Sequence, residues 1–254
     1  MKQQAMMTLV PEKLRQIERK YGIRILYAVE SGSRAWGTHS PHSDFDVRFI
    51  YIRPREEYLR LDQTRDVLEF PIADEWDMCG WDLSKLLQLL HSANTQIYEW
   101  FSSSVVYVDD GFSQRIRPLM DRFFSVKAGV KHYLNQADRK QKQQDRAEST
   151  KVKHYLYRLQ HLSSAQWILD HQGPAPVNFE TVTRSLPERL QQEAKSLLER
   201  KRSGEKLMPH DLWLDAWLLE ERQRLQLLED QLPRFEDKGW EELNRFFLSE
   251  LERL

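Results

Sequence analysis

Asp44 and Asp46 stand two residues apart, with Arg48 two further on, in the run Ser43-Asp44-Phe45-Asp46-Val47-Arg48. Side chains of an extended strand alternate faces, so the two carboxylates share one face with Arg48 beyond them. Phe45, Val47 and Phe49 share the other face and suit a core. Carboxylates so spaced can hold hard divalent cations through oxygen, and Mg²⁺ commonly takes one or two of them plus substrate phosphates. Upstream runs Glu30-Ser31-Gly32-Ser33-Arg34-Ala35-Trp36-Gly37. Gly32 has no Cβ, can take positive φ and lets backbone approach a ligand closely. Small polar residues at such a turn can aim N–H groups at an anion. An anion cradle beside a cation holder suits a metal–nucleotide.

The elements that must position these groups are legible around them. Ile23 to Val29 is a β-branched, apolar run that reads as a buried strand. Before it, Pro11 to Gly22 reads as a helix with Pro near its start and Gly past its end. A short helix from Arg34 to Gly37 follows the turn, then a polar loop from Thr38 to Ser43. The Asp strand continues through Ile52 to Pro54. Val67–Ile72 and Trp76–Trp81 read as strands, Pro71 marking an edge or an end. Ser84 reads as the N-cap of a helix over residues 85–90, Asn94–Trp100 as a second short helix, and Val105–Val108 as a last strand. Past Gly111 strand signals stop. Helical periodicity predicts helices over Phe112–Phe124, Val126 to about Gln144, Ser149–His171, Pro187–Arg202, Met208–Leu232 and Trp240–Leu254. The expected organisation is a sheet domain over residues 1–111 and a helical domain over 112–254.

A Gly-Ser turn after a buried strand, a gap, then Asp-x-Asp on the next strand resembles the nucleotidyltransferases of the DNA polymerase beta superfamily. Gly32–Gly37 with Ser43–Arg48 resembles its RNA-ligase-associated branch, found beside RNA repair genes. The resemblance covers residues 20–110 well and 125–170 loosely. It implies an α/β fold in which a small mixed-sheet domain is followed by a helical domain that closes a cleft. It also implies Mg²⁺- or Mn²⁺-dependent transfer of a nucleoside monophosphate from an NTP to a hydroxyl. Asp44 and Asp46 would hold the metals, and Gly32, Ser33 and Arg34 the phosphates. The superfamily's third carboxylate sits on a later strand, where Glu69, Asp74, Glu75, Asp77 and Asp82 are candidates. Alternation puts Asp77, Cys79 and Trp81 on one face and Asp82 on the other. The choice falls on Asp77, with Asp82 in reserve. Lys85, Asn94 and Glu99 stand where the family has a Lys, an Asn and a Glu; local capping and a solvated helix face are the alternative. Lys153 and Tyr157, one helical turn apart, match a family helix that meets nucleotide phosphate and base. A basic exposed face with Tyr in the core is the other reading. The family's Arg on that helix is followed by Pro where Leu159 is followed by Gln160, so Arg158 departs from the pattern.

The chain has 254 residues, 40% hydrophobic and 30% charged, with a net charge of −1 and one cysteine. Such a composition fits a helix-rich globular protein. A lone Cys79 excludes an internal disulfide and argues for a reducing compartment. No apolar run reaches membrane-spanning length, and Met1–Val10 lacks the core of a signal peptide; the cytoplasm is expected. Charge is segregated. Residues 127–158 carry nine Lys/Arg against three acids, and residues 205–254 seven against thirteen. A basic stretch in a near-neutral chain suggests a polyanionic acceptor. The expectation is structured or nicked RNA of tRNA size, contacted through Lys140, Lys142 and Arg146. Two other classes stand beside this one. One is a catalytically dead nucleotide-binding module, against which intact Asp44 and Asp46 count. The other is a protein-modifying, AMP-adding antitoxin.

Overall fold

The computed structural model describes residues 2–62, 64–73, 76–142 and 149–254, without the side chains of 2–5, 71–73 and 140–142. Two compact units emerge: residues 1–32, 44–123 and 237–254 form one, residues 33–43 and 124–236 the other. The change of character at residue 111 thus precedes the change of unit, which follows Phe123. In chain order the first unit contains α1 (Lys2–Tyr21) and β1 (Arg24–Glu30). The short α2 (Gly32–Ala35) straddles the crossing. Back in the first unit come β2 (Phe45–Ile52), α3 (Arg55–Tyr58), β3 (Val67–Ala73), β4 (Trp76–Asp82), α4 (Leu83–His91), α5 (Gln96–Phe101), β5 (Val106–Asp109) and α6 (Phe112–Phe123). The second unit holds α7 (Val126–Lys142), β6 (Ser149–Lys151), α8 (Val152–His171), α9 (Phe179–Thr183), α10 (Glu188–Arg202), β7 (Leu207–Pro209) and α11 (Leu212–Gln231); α12 (Glu241–Leu251) returns to the first.

The sheet has the order β3-β4-β2-β1-β5, with β2 and β4 parallel and the other neighbours antiparallel. The fold is therefore the mixed α/β class expected. One face is covered by α1, whose Met6, Val10, Leu14 and Ile17 pack with Phe45, Val47, Phe49, Tyr51 and Met78. That stripe also explains a difference from the sequence reading. The helix begins at Lys2, with Pro11 inside it. An interior proline costs about 3 kcal/mol, whereas burying Met6 and Val10, 6% and 0% exposed, returns roughly 1.5–3 kcal/mol each. Phe49 crosses onto Gly80, where a Cβ would stand 2.1 Å from its ring; β2 and β4 pack there only because Gly80 has no side chain.

The second unit is built around α8, which buries Tyr155, Leu156, Leu159, Leu162 and Ile168 with residues of α7, α10 and α11. The helical periodicity misses one feature here. β6 and β7 form a two-stranded ribbon, so α8 starts at Val152 and α11 at Leu212. Three-residue strands are too short to print a period of two. The Ser84 cap is also corrected: Asp82 is the N-cap of α4, and its carboxylate accepts from Ser84 N at 2.8 Å and Ser84 Oγ at 2.6 Å.

Candidate active site

The parallel pairing of β2 and β4 sets Asp46 opposite Asp77 in register. Alternation keeps both off the α1 side. Arg48, two residues on, reaches back between them. Its Nη2 donates to Asp77 Oδ2 at 2.7 Å and to Asp46 Oδ1 at 3.4 Å, and its Nη1 donates to the backbone oxygens of Asp77 and Val47. The Asp77 charge, set opposite in register, acts directly on Asp46. Burial, only partly offset by Arg48 and reinforced by Asp77 and Asp44, pushes Asp46 up to about 6. A carboxyl in that state is short of positive charge.

Three local devices fix Asp46. Ser31 N donates to its backbone oxygen at 2.7 Å. Its own N–H donates to Glu30 Oε1 at 3.0 Å. Gly32, at φ +57°, lies so close that a Cβ there would be 2.1 Å from Asp46 Oδ2. Glu30 itself is 1% exposed; its other oxygen accepts from Tyr107 Oη at 2.5 Å and its backbone oxygen from Ser103 Oγ at 2.6 Å. This carboxylate is a positioning residue that the sequence reading did not single out. The available signal was a charged residue closing an apolar strand directly before the Gly-Ser turn.

Asp44 lies exposed just ahead of β2 and adds its charge to Asp46. Among the described residues no three His, Cys, Asp or Glu side chains form a ready metal shell. The donor set nevertheless fits Mg²⁺ or Mn²⁺, which need only one or two protein carboxylates when phosphate oxygens complete the shell. Asp74 and Glu75 lie outside the described residues. Asp82 is 2% exposed and committed elsewhere: it caps α4, accepts from Tyr58 Oη at 3.1 Å and pairs with Arg53 at 3.4 Å. Asp77→Asn should therefore damage turnover as Asp46→Asn does. Asp82→Asn should leave the rate near the parent's and lower stability by about 1–2 kcal/mol, read by thermal melting beside a rate assay. The reverse ranking would mean that Asp82 is the working acid.

Other expected residues go to different places. Lys85 pairs with Asp66 at 3.1 Å. The Asn94 side chain accepts from Gln96 N at 2.9 Å, the local capping alternative. Glu99 sits in the first turn of α5. Arg158 is 3% exposed and pairs with Asp215 at 3.6 Å, a role inside the helical unit. Lys140, Lys142 and Arg146 fall outside the described side chains.

The rest of the signature stretch belongs to the helical unit. Ser33 accepts from Thr38 N at 2.9 Å, and Arg34 donates to Ser43 O at 2.7 Å. The Trp36 ring stands edge-on to Tyr157 and His161, with centroids 5.1 and 5.8 Å away, while its backbone oxygen accepts from Phe179 N at 2.9 Å. Tyr157 thus anchors this loop, and Lys153 is exposed one turn earlier on α8.

A mixed sheet carrying paired carboxylates beside a Gly-Ser turn is a nucleotidyltransferase-like arrangement. Residues 6–249 match the RNA repair pathway DNA polymerase beta family, and the chain belongs to it. It is 43% identical over 200 residues to the uncharacterized protein YcgL of Bacillus subtilis (strain 168), a match covering 77% of this chain and 76% of that one. A nucleotidyltransferase-like protein from Exiguobacterium sibiricum 255-15, known from a crystal structure, is 13% identical with a TM-score of 0.33, over 87% of this chain and 74% of that one. Among the described residues no helix is long and apolar enough to cross a membrane.

Proposed function

We propose that the protein moves a nucleoside monophosphate from an NTP to a hydroxyl of RNA, releasing pyrophosphate, with Mg²⁺ or Mn²⁺ held by Asp46, Asp77 and Asp44. The observation that carries this reading is the in-register pair Asp46 and Asp77, with Asp46 pressed against Gly32 and pushed up to about 6. The bound metal would neutralise phosphate charge and lower the pKa of the attacking hydroxyl. Gly32 brings backbone close to Asp46 and so to the phosphates of a metal-bound NTP. Asp77 presents Oδ1, the oxygen that Arg48 does not hold, and takes the hydroxyl proton there. Beside it opens a cavity of about 520 Å³ lined by Arg48, Phe70, Cys79, Trp81, Gln96 and Trp100, roomy enough for the acceptor end. Arg48 keeps Asp77 in register with Asp46 and so orients the proton acceptor.

RNA as acceptor is supported by the family and by the basic stretch over 127–158. Among the described residues of that stretch, Lys127 donates to Leu232 O at 2.9 Å and Arg158 pairs with Asp215, both inside the helical unit. The test is a screen of the four labelled NTPs with a tRNA pool, nicked RNA and a protein pool, with Mg²⁺ or EDTA. Label moving to RNA, abolished by EDTA, is the expected result. Transfer to protein alone would replace the acceptor, and transfer in EDTA would remove the metal.

A further inference from the structure

The face of the sheet that carries Asp46 and Asp77 continues past them. Arg48 on β2 and Glu69 on β3 both stand opposite Cys79 of β4. The three form one row across neighbouring strands, next to the row of Asp46 and Asp77. Leu68, Phe70 and Met78 turn to the α1 side, as alternation requires. Glu69 is therefore not a third member of the carboxylate pair. Neighbouring strands lie about 4.8 Å apart, so the Cα atoms of Arg48 and Glu69 stand roughly 10 Å apart with only a short thiol side chain between them. That hollow belongs to the cavity of about 520 Å³ beside Asp77. Trp81 and Trp100, stacked with centroids 3.9 Å apart and 8% and 2% exposed, wall it beyond Cys79. Glu69 and Gln96, the first residue of α5, supply its polar rim.

The charges decide what fits. Arg48 is spent, since its guanidinium donates to Asp77, Asp46 and the Val47 backbone oxygen. Glu69 holds Arg65 only at 3.8 Å, with side chains 67% and 83% exposed, and an exposed pair of that kind is worth little. A carboxylate left available repels phosphate, so neither a triphosphate nor the backbone of a strand belongs here. An apolar wall facing a carboxylate suits a neutral planar ring with N–H donors on its edge, which is a nucleobase. The spacing suits it as well. Cys79 stands about 7 Å from Asp77, two strand rises, so a nucleoside with its ribose hydroxyl at Asp77 brings its base over the hollow. Guanine alone among the four bases sets two N–H donors, N1 and N2, side by side where one carboxylate accepts both. Adenine and cytosine put a ring acceptor beside their amino group, and uracil flanks its one N–H with carbonyls.

We infer that Glu69 selects the terminal base of the acceptor RNA, gripping the N1 and N2 edge of a guanine against Trp81, with Gln96 on the same rim. That this base belongs to the acceptor rests on the proposed reaction; that the cavity takes it does not. The test is equilibrium binding to the full chain, in EDTA and without NTP, of short single-stranded RNAs that differ only in the 3′-terminal base. G-ended RNA should bind about tenfold to a hundredfold more tightly than A-, C- or U-ended RNA. Inosine-ended RNA, which lacks the N2 amine, should lose most of that advantage. Glu69→Gln, a change at an exposed position, should bring the four ends within about threefold of one another. Cys79 is the only cysteine, so its alkylation reports occupancy of the cavity. G-ended RNA should slow that alkylation more than U-ended RNA at the same concentration. Equal binding of the four ends by the parent would overturn the assignment. So would an undiminished G preference in Glu69→Gln, an inosine end bound as tightly as a G end, or Cys79 alkylated as fast with G-ended RNA as without it. Absence of any RNA binding would overturn it too. A G preference in binding with no NMP transfer to any RNA would instead sink the proposed reaction and leave this pocket standing.

Discussion

Asp46→Asn is expected to reduce nucleotidyl transfer on the order of a thousandfold or more while leaving the metal-free protein as stable as the parent or more so. The folded protein holds this carboxyl at about 6, above its ordinary value of 3.8, chiefly by burial, with Asp77 and Asp44 adding to it against Arg48. The folded state therefore binds an extra proton between about pH 4 and 6. The stability linked to it is fully present below pH 4 and lost as pH rises through 6, a change on the order of 2–3 kcal/mol. Metal-free parent protein should lose stability between pH 5 and 7.5 by more than the Asn variant does. Metal binding requires the ionised form, so Mg²⁺ should raise the parent's melting temperature more at pH 7.5 than at 5. Mg²⁺ should leave the variant nearly unmoved. Melting curves at both pH values, with and without Mg²⁺, read all of this. An Asn variant that gains as much from Mg²⁺ as the parent would remove Asp46 from the metal site.

The site was legible where chemistry and periodicity agree. Asp46 and Asp77 could be placed on one face because strand alternation is strict, and parallel pairing then put them in register. What alternation could not give is the partner across the sheet, so the Arg48 clamp and the Glu30 anchor went unread. Both depend on which strands are neighbours, and the order β3-β4-β2-β1-β5 is not sequential. The face that α11 turns to the core does not follow from the spacing of its apolar residues alone. Leu212 is 82% exposed, whereas Leu214, Leu218 and Leu225 are buried. Asp211 fixes that phase by capping Trp213 N and Leu214 N at 3.0 Å each, and β7 ends just before it.

Gly32→Ala should reduce activity on the order of a hundredfold, although it removes no functional group. Gly32 sits at φ +57°, which costs an L-residue about 1–2 kcal/mol. The larger effect is steric. The new methyl would lie 2.1 Å from Asp46 Oδ2 and 2.9 Å from its Cγ. The backbone of Asp46 cannot yield easily, because Ser31 N holds its oxygen and Glu30 holds its N–H. The side chain must therefore rotate, leaving Arg48 and its register with Asp77. A displacement of that size costs on the order of a hundredfold in rate. A double-mutant cycle separates the two contributions. In an Asp46→Gly background the clash is gone, so Gly32→Ala should cost only the backbone preference. In the parent it should cost more by about 1–3 kcal/mol. Chemical denaturation of the four proteins gives the coupling. Equal cost in both backgrounds would mean that Gly32 is kept for its backbone angle alone, and that its contact with Asp46 does not hold the carboxylate in place.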